Sequence, residues 1–140
     1  MDSTHFQLRS RLPVLGLYRA VAGLTVLGVA AQFFLAGAGA FGATSYDAHR
    51  ALGVALIAAG ALGLILAAAA RSRVTRALAL EVALVLQLLL GHLGMHHPWI
   101  GAVHGLVAIG VAALASVIAR GLGVRPHGAG ADPALSHADE

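Results

Sequence analysis

The side chains with the most chemistry to offer in this 140-residue chain are its eight histidines. Cysteine is absent, which excludes disulfides, cysteine–zinc sites, iron–sulfur clusters and covalent c-type haem attachment. No serine or cysteine nucleophile stands beside a base, no carboxylates pair inside an apolar segment, and no phosphate-binding loop is present. Redox chemistry at a bound group is the one catalytic route left. His5, His127 and His137 lie in polar end segments and read as solvated. The other five, His49, His92, His96, His97 and His104, lie near the ends of apolar segments. Ionisable groups in such places are costly and usually face a bundle interior or a polar site. Their clustering therefore makes a candidate site.

The elements that position them are apolar. Hydrophobic residues make up 59% of the chain and charged residues 11%, against roughly a quarter charged in soluble domains. A water-soluble globule is excluded, and so is a β-barrel, whose strands alternate polar and apolar. Four stretches stand out, at about Val14–Ala38, Ala48–Ala70, Ala77–His96 and Trp99–Leu122. Each is long enough to cross a hydrocarbon core of about 30 Å at about 1.5 Å per residue. The connections between them are short, so sequential helices are antiparallel neighbours. The expected fold is all-α, an up-down four-helix transmembrane bundle over residues 14–122. Residues 1–13 form an N-terminal segment, and residues 123–140 a Gly/Pro/His/Asp-rich tail expected to be disordered. The first apolar run is too long for a signal-peptide core. No tandem repeat is visible along the chain.

Orientation follows from arginine, since lysine is absent. Arg9, Arg11, Arg19, Arg71, Arg73, Arg76, Arg120 and Arg125 flank one side of the spans and Arg50 the other. This bias is expected to place both termini in the cytoplasm. The absence of lysine with abundant Ala and Gly suggests a GC-rich bacterial genome, so the expected location is a bacterial plasma membrane, crossed several times. The arginine bias also accounts for the net charge of +3 without nucleic acid, for which the chain lacks a basic face. Tyr46 and Trp99 then lie at the outer interface, and the five histidines at the outer ends of spans two, three and four.

Helical periodicity sharpens the site. At about 100° per residue, Gly53, Gly60 and Gly63 lie within roughly 40° of His49. Gly101, Gly105, Ala108, Ala112 and Ala115 share a broad face with His104. Such strips let membrane helices approach closely. A strip headed by an imidazole also leaves room for a flat macrocycle. In an up-down bundle the second and fourth helices are diagonal partners, so His49 and His104 could ligate one iron from opposite sides, as in b-type cytochromes. His92 competes with His49 for this role. It shares a face with His96, and Glu81 lies within about 20° of it on the same stripe. Depth counted from the nearest arginines does not choose between them. His96 and His97 flank Pro98 and read as a solvated turn. Arg50 suits a haem propionate or a salt bridge to Asp47 equally well. Glu81 is expected to pair with Arg19 or Arg76, and Gln32 and Gln87 to hydrogen-bond between helices.

The segment Tyr46-Asp47-Ala48-His49-Arg50-Ala51-Leu52-Gly53 resembles the His-Arg-x-x-Gly signature that opens a helix in haem A synthases. Those enzymes consist of two similar four-helix halves, each pairing histidines from the outer ends of its second and fourth helices. Gly101-Ala102-Val103-His104-Gly105-Leu106 is similar to the fourth-helix counterpart. The chain also resembles an uncharacterised family of small four-helix actinobacterial membrane proteins carrying Asp-Ala-His-Arg-Ala-Leu-Gly and a histidine opening the last helix. The layout is alike over about residues 14–122, the sequence only in the two motifs. The resemblance implies a haem-binding bundle with His49 and His104 as ligands. Haem A synthases carry a glutamate where this chain has Tyr46, many have a cysteine pair in an outer loop, and all have a second half. These departures argue against the oxygenase reaction.

The expected function is thus non-covalent binding of haem b near the outer face, with His49 and His104 as metal ligands and Arg50, Gly53, Gly105 and His92 lining the cofactor, for electron transfer or haem handling. The bilayer is the expected partner, with a quinone, a redox membrane protein or a second copy of the chain as further candidates. Two alternatives stand beside it. One is a metal or proton pathway through His92, His96 and His104, where imidazoles suit zinc, copper or nickel. The other is a structural accessory subunit of a membrane complex.

Overall fold

The computed structural model describes the backbone of residues 3–121 and the side chains of residues 12–121. It is all-helical over this range, with α1 (Ser3–Ala40), α2 (Asp47–Ala69), α3 (Val74–Gly94) and α4 (Pro98–Ala119). The tail at 123–140, expected to be disordered, lies outside the described residues. All four helices are long and apolar enough to cross a membrane, α1 from Leu12 to Ala40. The 21 to 23 residues of α2, α3 and α4 amount to roughly 32–35 Å at about 1.5 Å per residue, the thickness of a hydrocarbon core. The first helix starts earlier than the apolar run suggests and continues through Pro13.

The helices form a ring. Each packs on its chain neighbours and α1 closes the ring against α4, which leaves α2 facing α4, and α1 facing α3, across the axis. Large apolar side chains such as Leu24, Phe34, Ile65, Val82, Leu89, Leu106 and Ile109 point outward. In water this would be an aggregation liability; here it is the lipid-facing surface of a multi-pass membrane protein. The interior is built from smaller or interlocking side chains, with Tyr18, Ala22 and Val29 meeting Leu56, Ala67, Leu80, Leu84, Val111, Ala115 and Ile118. Lipid is as apolar as these residues, so close van der Waals packing has to hold the helices together. Glycines supply the closeness: a Cβ on Gly28 would strike Leu56, and one on Gly94 would stand 2.7 Å from the Cα of Gly101. Thr25, the one buried polar residue of the described core, donates its hydroxyl to Val21 O at 3.0 Å.

Three-dimensional packing exposes a repeat that the linear sequence hides. Shifting the α1–α2 hairpin onto the α3–α4 hairpin carries Gln32 onto Gln87 and His49 onto His104, each pair being 17 residues apart. The same shift carries Gly39 and Tyr46, which touch, onto Gly94 and Gly101, which also touch. It also carries buried Val29 and Leu56 onto buried Leu84 and Val111. The two hairpins are thus equivalent halves, although most of their aligned residues differ.

The turns are tight and chemically different. After α1, Gly42 takes φ +72° while Ala43 N–H closes back to Ala38 O, a left-handed helix stop that glycine accepts readily. Between α2 and α3, Arg71 and Arg73 both adopt left-handed φ, at 49° and 57°. Between α3 and α4, extended His97 precedes Pro98 at the first turn of α4, where its missing N–H costs nothing.

Candidate functional site

The site grows from the hairpin packing. His49 enters the bundle one turn inside the start of α2, and its Nδ1 lies 3.2 Å from the main-chain oxygen of Gln32 on α1. His104 repeats this on the other hairpin, its Nδ1 3.0 Å from Gln87 O on α3. A carbonyl only accepts, so in both rings Nδ1 carries a proton, and in a neutral ring Nε2 then keeps its lone pair. A helical carbonyl already accepts one intrahelical bond and uses its second lone pair for this one. Access to that lone pair requires a small residue one turn further along the same helix. Gly91 provides it for Gln87: a Cβ there would stand 3.3 Å from His104 Cε1. The equivalent residue in the first hairpin is Ala36.

The two rings meet across the axis, as expected of diagonal helices. Their centroids are 6.1 Å apart and their planes are inclined by 65°. Both rings are half-buried. They therefore stand at one level, although one way of counting from the arginines sets His49 higher. The reason is that α2 runs several residues further past its histidine than α4 does before each ends.

Tyr46 packs edge-on against His49, with centroids 6.2 Å apart and planes at 87°. Gly39 makes this place for it, since a Cβ there would stand 2.9 Å from the Tyr46 ring. Arg50 is tied to Asp47 at 2.8 Å, and both side chains are exposed. The Ser45 hydroxyl donates to the other carboxylate oxygen of Asp47, at 2.8 Å. Of the two roles open to Arg50, the structure shows the salt bridge. Gly53 sits one turn below His49, and a Cβ there would be 3.1 Å from the Gln32 amide nitrogen; beside Gly105 nothing lies within 4 Å. His92 is exposed on α3 and is not brought to the pair, and His96 and His97 are exposed in the turn.

Two expectations from sequence are replaced. Glu81 does not pair with Arg19. It turns into the bundle, where its Oε2 has no hydrogen-bond partner and lies against Gly60; only a glycine leaves room for it there. Gln32 and Gln87 do join helices, but through their main chains. The Oε1 atoms of both amides are buried and unpartnered. Sequence reasoning missed Tyr46, Gly39 and Gly91 as supports of the pair. The available signal was the equal spacing from each intramembrane glutamine to its histidine.

The donor set limits what the pair could hold. Among the described residues, no group of three or more His, Cys, Asp or Glu side chains converges. A structural zinc site wants four protein ligands and a catalytic one three. A haem iron needs two at most, because the porphyrin supplies the rest. The chain matches no known family model, no characterised protein and no solved structure.

Proposed function

We propose that this protein is a small membrane-bound haem b protein of a bacterial plasma membrane, serving electron transfer or haem handling, in which the imidazoles of His49 and His104 would hold the iron. One observation carries the reading: two histidines from diagonal helices bring their rings to 6.1 Å between centroids, each with its Nδ1 on a main-chain carbonyl. Metal-ligating histidines are ordinarily held this way, the outer hydrogen bond fixing the tautomer and raising the basicity of the ligating nitrogen. The spacing suits the role. Imidazole nitrogens bind metals at about 2.0–2.1 Å, so two rings sharing one metal have centroids on the order of 6 Å apart.

When bound, haem supplies a one-electron couple. The chain's own residues hold the rings and set the polarity around them. Main-chain carbonyls draw on both imidazole N–H groups, and Tyr46 shields the edge of His49. Low-polarity helices wall the site, a lever on redox potential. A resident zinc or copper ion has less support, since its ligand number is not met by nearby side chains.

The test is a visible-range spectrum of the full chain purified from haem-replete cells. A Soret band that shifts on reduction, with low-spin six-coordinate features, is expected. Replacing either His49 or His104 by alanine should remove the six-coordinate signature, while His97→Ala should leave it. A folded, colourless preparation that takes up no added haem would overturn the reading. So would loss of the signature from His92→Ala alone.

A further inference from the structure

At the end of the bundle away from the histidines, one arginine from α1 and one from the α2–α3 turn converge on one glycine. Arg73 ends the α2–α3 turn in a left-handed conformation, which sends its side chain across to α4. There its Nη2 donates to Gly121 O at 3.1 Å, covering a carbonyl that the end of α4 leaves open. The Nη1 of the same guanidinium is buried and has no hydrogen-bond partner. Arg19, reaching from α1, lays its guanidinium over the other side of Gly121. Glycine is needed here for two reasons. Its φ is +67°, and a Cβ would collide with the Arg19 guanidinium.

Two like charges beside one residue repel, and of the two Arg19 is exposed while Arg73 is half-buried. No carboxylate among the described residues offsets them. Asp47 stands at the other end of the bundle, and Glu81 faces Gly60. Guanidinium forks suit phosphate oxygens, which accept two parallel N–H bonds. The site lies where α2 and α4 end and α3 begins, at the level where lipid headgroups meet the helices. Basic pockets between membrane helices take anionic headgroups in this position.

We infer that Arg19 and Arg73 form a binding site for the phosphodiester of an anionic phospholipid at the C-terminal end of α4. This goes beyond the haem reading and does not depend on it. The anion bridges the two guanidiniums and ties α1, α4 and the α2–α3 turn together.

The test is native mass spectrometry of the full chain released from mixed micelles of phosphatidylglycerol and phosphatidylcholine. The wild type should retain phosphatidylglycerol about tenfold more often than phosphatidylcholine, a factor worth about 1.4 kcal/mol. Arg19→Gln and Arg73→Gln should bring the ratio near parity. Gly121→Ala should lower it too, because it displaces Arg19 without removing charge. Arg71→Gln, a neutralisation of an exposed arginine in the same turn, should leave it high. Should the arginine variants fail to fold, the wild type still decides: phosphatidylglycerol should raise its midpoint of thermal unfolding above that in phosphatidylcholine. Equal retention of both lipids by the wild type would overturn the proposal. A loss in Arg71→Gln as large as in Arg73→Gln would reduce the effect to bulk charge and also overturn it. Displacement of phosphatidylglycerol by millimolar inorganic phosphate would assign the site to a soluble anion instead of a lipid.

Discussion

A single hydrogen atom governs what each imidazole can do. With Nδ1–H bound to a carbonyl, Nε2 is a lone-pair donor at any pH at which the ring is neutral. That arrangement depends on the size of position 91. A Cβ at Gly91 would meet His104 at 3.3 Å, a distance that alanine could reach with a small shift of the ring. A branched side chain has no such escape. Gly91→Leu is expected to push His104 off the Gln87 carbonyl, and nitrogen chemical shifts of labelled histidine would show the tautomer of His104 becoming mixed while His49 stays fixed. Glu81 makes the opposite prediction. Its Oε2 is buried without a partner, and an unmet polar group of this kind costs about 1–3 kcal/mol. Glu81→Gln adds donors but keeps the mismatch, whereas Glu81→Met removes it. Unfolding in detergent should therefore find Glu81→Met more stable than the parent, by up to that amount.

At the scale of helices, close approach between small residues replaces the hydrophobic driving force. The tightest crossing is that of α3 and α4, where a Cβ on Gly94 would stand 2.7 Å from backbone. Backbone cannot rotate away as a side chain can. Gly94→Ala should destabilise the bundle by about 1–3 kcal/mol, read as a lowered unfolding midpoint. Gly16→Ala, with nothing within 4 Å of the added carbon, should leave the midpoint unchanged. The spans were legible to within a few residues because an unbroken apolar run of about twenty residues is what a helix needs to cross lipid and is seldom found elsewhere. The diagonal placement of His49 and His104 was legible too, since short connections dictate an antiparallel ring. The start of α1 was not legible. Apolarity marks where a helix enters lipid, and a helix that extends beyond lipid carries no such mark. Nor were the supports of the imidazoles legible, because a main-chain acceptor leaves no trace in residue type.

For the molecule as a whole, four helices long and apolar enough to cross a membrane lead to one prediction: the two termini lie on the same side. Reporter fusions at residues 1 and 140 should give the same compartment signal, and a fusion in the turn at His96–His97 the opposite one. The repeat of the two hairpins is a property of the whole that the sequence concealed. Gln and His recur at matching places, while core partners such as Val29 and Leu84, or Leu56 and Val111, match only in being apolar. Packing keeps volume and loses identity, so the eye finds no repeat along the line. Equivalence fails at two positions with consequences. Val26 in one hairpin matches Glu81 in the other, and Tyr46 matches Gly101. The first leaves one half with an unsatisfied acid, and the second gives His49 an aromatic neighbour that His104 lacks.

Because the groups gripping the imidazoles are carbonyls of the peptide chain itself, no single codon change can delete them. Any residue that keeps α1 and α3 helical at positions 32 and 87 offers the same oxygen. Mutational fragility passes to the neighbours that leave the approach clear, so a screen of random variants for lost ring alignment should collect hits at Gly91 and Ala36 and pass over the glutamines. A protein arranged in this way can drift widely in composition and still hold the same two rings at the same place.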